Sequence, residues 1–278
     1  MKHPWKITSS IFLWLITSVI LAIWAAPYAV DTLAIGRATM RPVVWIITVV
    51  VLILLGALMW TFMIKKANPK TIDVTFAVGL GLVASRGITI FFPELNTGMY
   101  GLLSRFILMT LFASMFMGML LLMRKNWAWS IRLSPVSNLF MIWTTVIAAT
   151  IIAVDVPGWV TLVILGLAAI YDAWAVWKSK TMIHMAKFFI KRRILPGIAI
   201  PYKNKEEFAL LGGGDVFFVV LVSISFYQTS VIYTLTIASG MILAIAGLFL
   251  FSKKDTFYPA LPFIFTGAIL GLALGWLL

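Results

Sequence analysis

The 278-residue sequence contains no cysteine. Disulfides, thiolate metal sites and a cysteine nucleophile are therefore excluded. Histidine is almost as scarce. His3 is near the terminus and His184 sits in a basic stretch, and two isolated histidines so far apart make no metal site. No cofactor is expected. Charge is also sparse, with 11% of residues charged, 62% hydrophobic and a mean hydropathy of +1.05. A soluble domain is typically about 25% charged. The longest polar stretch, 178–207, is 30 residues, too short for a soluble domain. These deficits describe a polytopic membrane protein. Acidic residues are the rarest charged class, nine against 22 Lys and Arg, for a net charge of +13. Basic residues in a membrane protein mostly set topology, so no nucleic-acid partner is expected.

A bilayer-spanning helix needs about 20 mostly apolar residues. Nine segments qualify: 7–26, 42–64, 72–92, 100–123, 136–154, 158–177, 208–228, 230–251 and 257–278. The expected fold is all-α. The first segment is long for a signal peptide and lacks a clear small-residue cleavage site, so it reads as a retained helix. Pro27, Pro42, Pro69, Pro93, Pro135, Pro157 and the Lys253-Lys254-Asp255 turn mark the breaks. Charge tests the count. With the N-terminus inside, 18 of the 22 basic residues fall in inner segments and only Arg37 and Arg41 in outer ones. Nine spans, N-inside and C-outside, satisfy the positive-inside rule.

Three parts follow: six helices over 1–177, an inner connection over 178–207 and three helices over 208–278. Within the connection, 178–191 carries Met182, Ile183, Met185, Phe188 and Phe189 among lysines. It reads as an amphipathic helix on the inner surface, serving as an anchor or as a gate. Residues 192–207, with Pro196, Gly197 and Pro201, read as a mobile link.

Seven of the nine acidic residues lie in polar connections or at segment edges. Asp172 and Asp215 do not: they sit inside AAIYDAWAVW and LLGGGDVFFVV. A carboxylate in a bilayer costs several kcal/mol unless it is protonated, paired or hydrated. The sixth span runs inward and reaches Asp172 roughly 21 Å down; the seventh runs outward and meets Asp215 roughly 10 Å up. In an apolar core of about 30 Å both lie in the inner half, and the topology lets them face each other. Two neighbouring carboxylates do not both ionise easily, so they share one proton. The ionised one can then activate water while the neutral one donates to a carbonyl. Which aspartate takes which role is not assignable, because the pair titrates as a unit. The same two residues would also serve a proton- or cation-coupled transporter.

Three short motifs decide between these readings. Tyr171 precedes Asp172; Gly212-Gly213-Gly214 precedes Asp215; Pro259-Ala260-Leu261-Pro262 opens the ninth span. Tyr-Asp, Gly-x-Gly-Asp and Pro-Ala-Leu, in this order on late spans, resemble the presenilin and signal peptide peptidase family of intramembrane aspartyl proteases, its archaeal members included. The resemblance implies a nine-helix endopeptidase that cuts peptide bonds within transmembrane segments, with Asp172 and Asp215 as the catalytic pair. It implies that Pro259, Ala260 and Leu261 lie beside that pair, and that Gly212 and Gly214 keep the approach to Asp215 open. Gly213 serves either that purpose or helix packing. Tyr171 is either a substrate contact or part of an interfacial aromatic belt. The N-inside orientation falls on the presenilin side of the group and implies substrates with their N-termini outside. Like simpler microbial relatives, the chain is expected to need no obligatory subunit, with an oligomer left open. Its partners are the bilayer, that of the cell membrane, and transmembrane substrates. Prepilin peptidases share Gly-x-Gly-Asp but lack the Pro-Ala-Leu segment.

Overall fold

The computed structural model describes residues 5–33, 47, 69–91, 98–125, 127–179, 183, 197–202, 207–252 and 258–278. Eight helices and one hairpin make up these residues. They are α1 (Trp5–Leu33), α2 (Pro69–Phe91), α3 (Gly98–Lys125), α4 (Trp127–Asp155), α5 (Gly158–Trp177), β1 (Gly197–Tyr202), β2 (Glu207–Gly212), α6 (Gly213–Ser225), α7 (Val231–Phe251) and α8 (Leu261–Leu277). By length and composition α1, α3, α4, α5 and α7 can cross a membrane; α6 and α8 are apolar but shorter. In hydrocarbon each polar group needs an internal partner. Several helical hydroxyls comply by bonding carbonyls one turn back, as Ser18 does to Trp14 O (2.8 Å) and Ser223 to Val219 O (2.7 Å); the buried hydroxyls of Thr8 and Thr150 have no partner among the described residues.

The core has two main parts. A central cluster joins α1, α4, α5, α6, α7, α8 and one face of the hairpin, with Leu15, Val146, Leu165, Val220, Ile245 and Ile264 among its members. A second cluster joins α2 and α3 to α4 through Ala84, Phe116 and Phe140, whose rings stack at 5.1 Å. Helix α4 belongs to both and is the common wall. Each face away from these clusters keeps large apolar side chains exposed, such as Leu13, Ile20, Leu111, Ile170, Leu243 and Leu270, as a lipid-facing surface requires. Helices α7 and α8 approach closely at Gly240 and Gly267. A Cβ on either would run into the backbone carbonyl of the other.

The described residues are mostly helical, as expected, with one departure from an all-α fold. Residues 197–202 pair antiparallel with 207–212, in register Gly197↔Gly212 through Tyr202↔Glu207. The expected helix 208–228 is therefore a strand ending at Gly212 and a 13-residue helix from Gly213. Part of the link read as mobile, 197–202, is the other strand. The reason is the side-chain alternation that a strand permits. Ile198, Ala209 and Leu211 face the central cluster, while Ala199 and Leu210 face the second. A six-residue apolar run looks the same for strand and helix until its partner is known. Two expected breaks also fail. Pro27 lies inside α1 and Pro135 inside α4. Within a packed bundle, neighbouring groups and local adjustment take up the backbone bond that proline removes. The expected span 42–64 and the amphipathic segment 178–191 fall almost wholly outside the described residues.

Candidate active site

Asp172 sits on the inner face of α5. Ala168, Ala169, Ala175 and Val176, three and four residues either side, are buried with it. Their small side chains let neighbouring helices come close, and Asp172 is 7% exposed. It is not left unpartnered. The backbone N–H of Leu261 donates to Asp172 Oδ2 at 3.2 Å.

That amide is available because of how α8 begins. The first N–H groups of a helix have no intrahelical acceptor. Ala260 is the N-cap, and its carbonyl accepts from Phe263 (3.1 Å) and Ile264 (3.0 Å). Pro262 has no N–H to offer. The Leu261 amide is thus a donor left at the helix mouth, and it points at Asp172. Pro259, Ala260 and Leu261 are all buried at this junction. The positive end of a helix dipole also favours a carboxylate at this place.

Asp215 occupies an equivalent position on another helix. It is the third residue of α6, and its Oδ2 accepts from the Gly212 N–H at 3.2 Å. This is the return half of a capping box; the other half is missing because glycine has no side chain. Gly212 is extended, with φ −60° and ψ 144°, so the chain turns from strand to helix in one residue. A Cβ at Gly212 would stand 3.0 Å from Asp215 Oδ2 and crowd the carboxylate. Gly214 is exposed, and a Cβ there would meet nothing within 4 Å. Gly213 lies beside Met141, Ile142 and Val216.

The two carboxylates therefore stand at two helix N-termini, each accepting from a backbone N–H. Helices α5 and α6 pack together. Of the sequence-predicted residues, the structure brings Asp172, Asp215, Gly212, Ala260 and Leu261 into this arrangement. Tyr171 is half-buried and lies against Trp174, ring centroids 6.0 Å apart, with no bond to either carboxylate. Among the described residues no three His, Asp or Glu side chains gather as metal ligands would.

The hairpin adds a feature the sequence reading missed. The Ala199 N–H donates to Asn138 Oδ1 at 2.8 Å, and Asn138 Nδ2 donates to the Ala199 carbonyl at 2.9 Å. The Ala199 backbone groups thus point away from β2. Facing pairs in an antiparallel ladder alternate, so Gly197↔Gly212 and Ala199↔Leu210 are pairs that do not bond each other. The N–H and C=O groups of Leu210 and Gly212 then face the far edge of β2. Gly212 N–H meets Asp215 there, and Leu210 has no bond on that edge among the described residues. A signal was present: Asn138 and Ser137 interrupt an otherwise apolar segment of α4.

No protein-family profile and no curated protein matches the chain. Solved structures do, among them two of a presenilin family intramembrane aspartate protease. The first, in space group C222, has 19% identity and a TM-score of 0.65, covering 97% of this chain and 98% of the other. The second, in space group P2, has 18% identity and a TM-score of 0.64, covering 99% and 98%. At this identity the likeness is one of fold, and over nearly its whole length the chain has the fold of the presenilin-family intramembrane aspartate proteases.

Proposed function

We propose that the chain is an intramembrane aspartyl endopeptidase that hydrolyses peptide bonds within transmembrane segments of other proteins. One observation carries the reading. Two carboxylates, from helices α5 and α6 that pack together, each stand at a helix N-terminus and accept from a backbone N–H, Asp172 from Leu261 and Asp215 from Gly212. Asp172 and Asp215 share one proton. The ionised member takes a proton from water, the water oxygen attacks the scissile carbonyl, and the neutral member donates to the carbonyl oxygen. Collapse of the tetrahedral intermediate then returns a proton to the leaving amine. The products are a new carboxyl terminus and a new amino terminus.

A peptide bond in a helix is shielded by its own hydrogen bonds, so substrate must unwind first. The far edge of β2 offers an extended backbone on which an unwound segment can add as a strand. Gly214 leaves open space beside Asp215 on that path. In this reading Gly212 and Gly213 keep the strand-to-helix turn bare, and Pro259 and Ala260 present the Leu261 amide to Asp172. Tyr171 borders the substrate path.

The chain spans the membrane nine times, N-inside and C-outside, on the strength of its charge distribution. Its parts are 1–177, which carries Asp172, an inner connection at 178–207, and 208–278, which carries Asp215 and the Pro259-Ala260-Leu261 segment. It works in the cell membrane without an obligatory subunit.

The test is purified protein in liposomes, given a fluorogenic transmembrane peptide and, separately, a proton gradient. Peptide cleavage lost in Asp172→Asn and in Asp215→Asn is the expected result. Proton flux that depends on the same residues, with no cleavage of any transmembrane peptide, supports the transporter reading instead.

A further inference from the structure

Asn138 has no part in the proton chemistry, yet it is among the most constrained polar groups in the molecule. It is 2% exposed in the wall helix α4, and both ends of its carboxamide bond the backbone of a single residue, Ala199. A carboxamide that donates to a strand carbonyl and accepts from the same residue's N–H reproduces what a neighbouring strand would do. The outer edge of β1 is thereby occupied at its centre. Two residues further along, Pro201 has no N–H to offer on that same edge. Among the described residues, the hairpin is left with one edge that can still take a strand: that of β2, which runs through Leu210 and Gly212 to Asp215.

We infer that Asn138 is a positioning residue that acts as a substitute strand, closing the β1 edge and anchoring the hairpin to α4, so that substrate backbone adds at the β2 edge in one register. The inference rests on the protease reading above. A strand added at β2 is led to the carboxylates by the chain itself, because Gly212 is both the last residue of β2 and the cap that holds Asp215. A strand added at β1 would lie on the far side of the hairpin. Anchoring also fixes register. Slipping a strand by one residue turns each side chain to the opposite face, and a hairpin free to rock on α4 would offer the scissile bond at more than one position.

The test uses the full chain in lipid nanodiscs. Asn138→Leu removes both bonds at nearly constant volume. A second chain keeps Asn138 but carries the α-hydroxy analogue of alanine at position 199, which removes only the Ala199 N–H. Three quantities are read: binding of a fluorescent transmembrane peptide in an Asp172→Asn background, KM and kcat for cleavage, and product masses. The expected result for Asn138→Leu is peptide binding and KM weakened roughly tenfold, the scale of one to two lost hydrogen bonds. New products displaced by one or two residues appear, and kcat changes much less. The position-199 ester moves the same quantities in the same direction by less. It needs no change in the helix, so it decides the matter if Asn138→Leu fails to fold.

Parental binding, KM and product masses in either folded variant overturn the inference and leave the protease reading intact. Peptide that binds to the parent without being cut contradicts the protease reading, and the binding ratio alone then judges Asn138. A parent chain that binds no transmembrane peptide overturns both.

Discussion

The N–H of Leu261 donates to Asp172 Oδ2 across 3.2 Å, joining residues 89 apart in sequence. Through this bond α8 sets the direction of a buried carboxylate on α5. It needs no side chain, only an amide that Pro262 and the helix start leave without a partner. Replacing Leu261 by its α-hydroxy analogue turns that N–H into an ester oxygen and leaves the side chain in place. A hydrogen bond to a charged group contributes about 1.5–3 kcal/mol. Cleavage should fall roughly ten- to a hundredfold with little change in thermal stability, as read by kcat and a melting curve on the same sample.

The glycines before Asp215 separate by what surrounds them. A Cβ at Gly212 meets the Asp215 carboxylate, whereas one at Gly214 meets nothing. Gly212→Ala should depress kcat by pushing the carboxylate aside, with KM nearly unchanged. Gly214→Ala should fold normally, so any loss should fall on KM, from crowding of substrate. Steady-state kinetics on the two variants check this; equal effects on both constants in both variants contradict it.

Helices α7 and α8 are in backbone contact at Gly240 and Gly267, and α8 begins at the Leu261 amide. Gly240→Ala must part the helices, at a cost of about 1–3 kcal/mol. It should lower both melting temperature and activity. Gly247→Ala, on the same helix but with open space around its Cβ, should be neutral or slightly stabilising. Thermal denaturation of the two variants in one detergent is the comparison.

A shared proton fixes the form of the pH profile. Cleavage needs one ionised and one neutral carboxyl, so it falls at low pH as the pair gains a second proton and at high pH as it loses the first. A bell-shaped kcat/KM profile is expected. A profile that rises to a plateau on either side, with the protein still folded, contradicts it.

Much of this site was legible in the sequence because membrane solvation makes charge conspicuous. Asp172 and Asp215 stood out as carboxylates with nothing polar around them, and Pro259-Ala260-Leu261 stood out as a helix start that spoils its own bonding. Helix direction alone leads to the expectation that both lie in the inner half of the bilayer. The hairpin was not legible. Glu207 to Gly212 is apolar enough to pass as the start of a helix, and only its pairing with Gly197 to Tyr202 makes it a strand. Pro27 and Pro135 misled for a related reason, since what a proline does depends on whether neighbours can absorb the lost bond. Asn138 could be seen as polar but not as purposeful, because its partner is 61 residues away.

The central claim is that Asp172 and Asp215 work as one unit on one water. The direct measurement is cleavage of a transmembrane peptide in H₂¹⁸O, with products weighed for the parent, Asp172→Asn and Asp215→Asn. The account expects one ¹⁸O in the new carboxyl terminus made by the parent. It expects at least about a hundredfold loss of product in each variant, the scale of general acid–base catalysis. Full cleavage by either folded variant would contradict it.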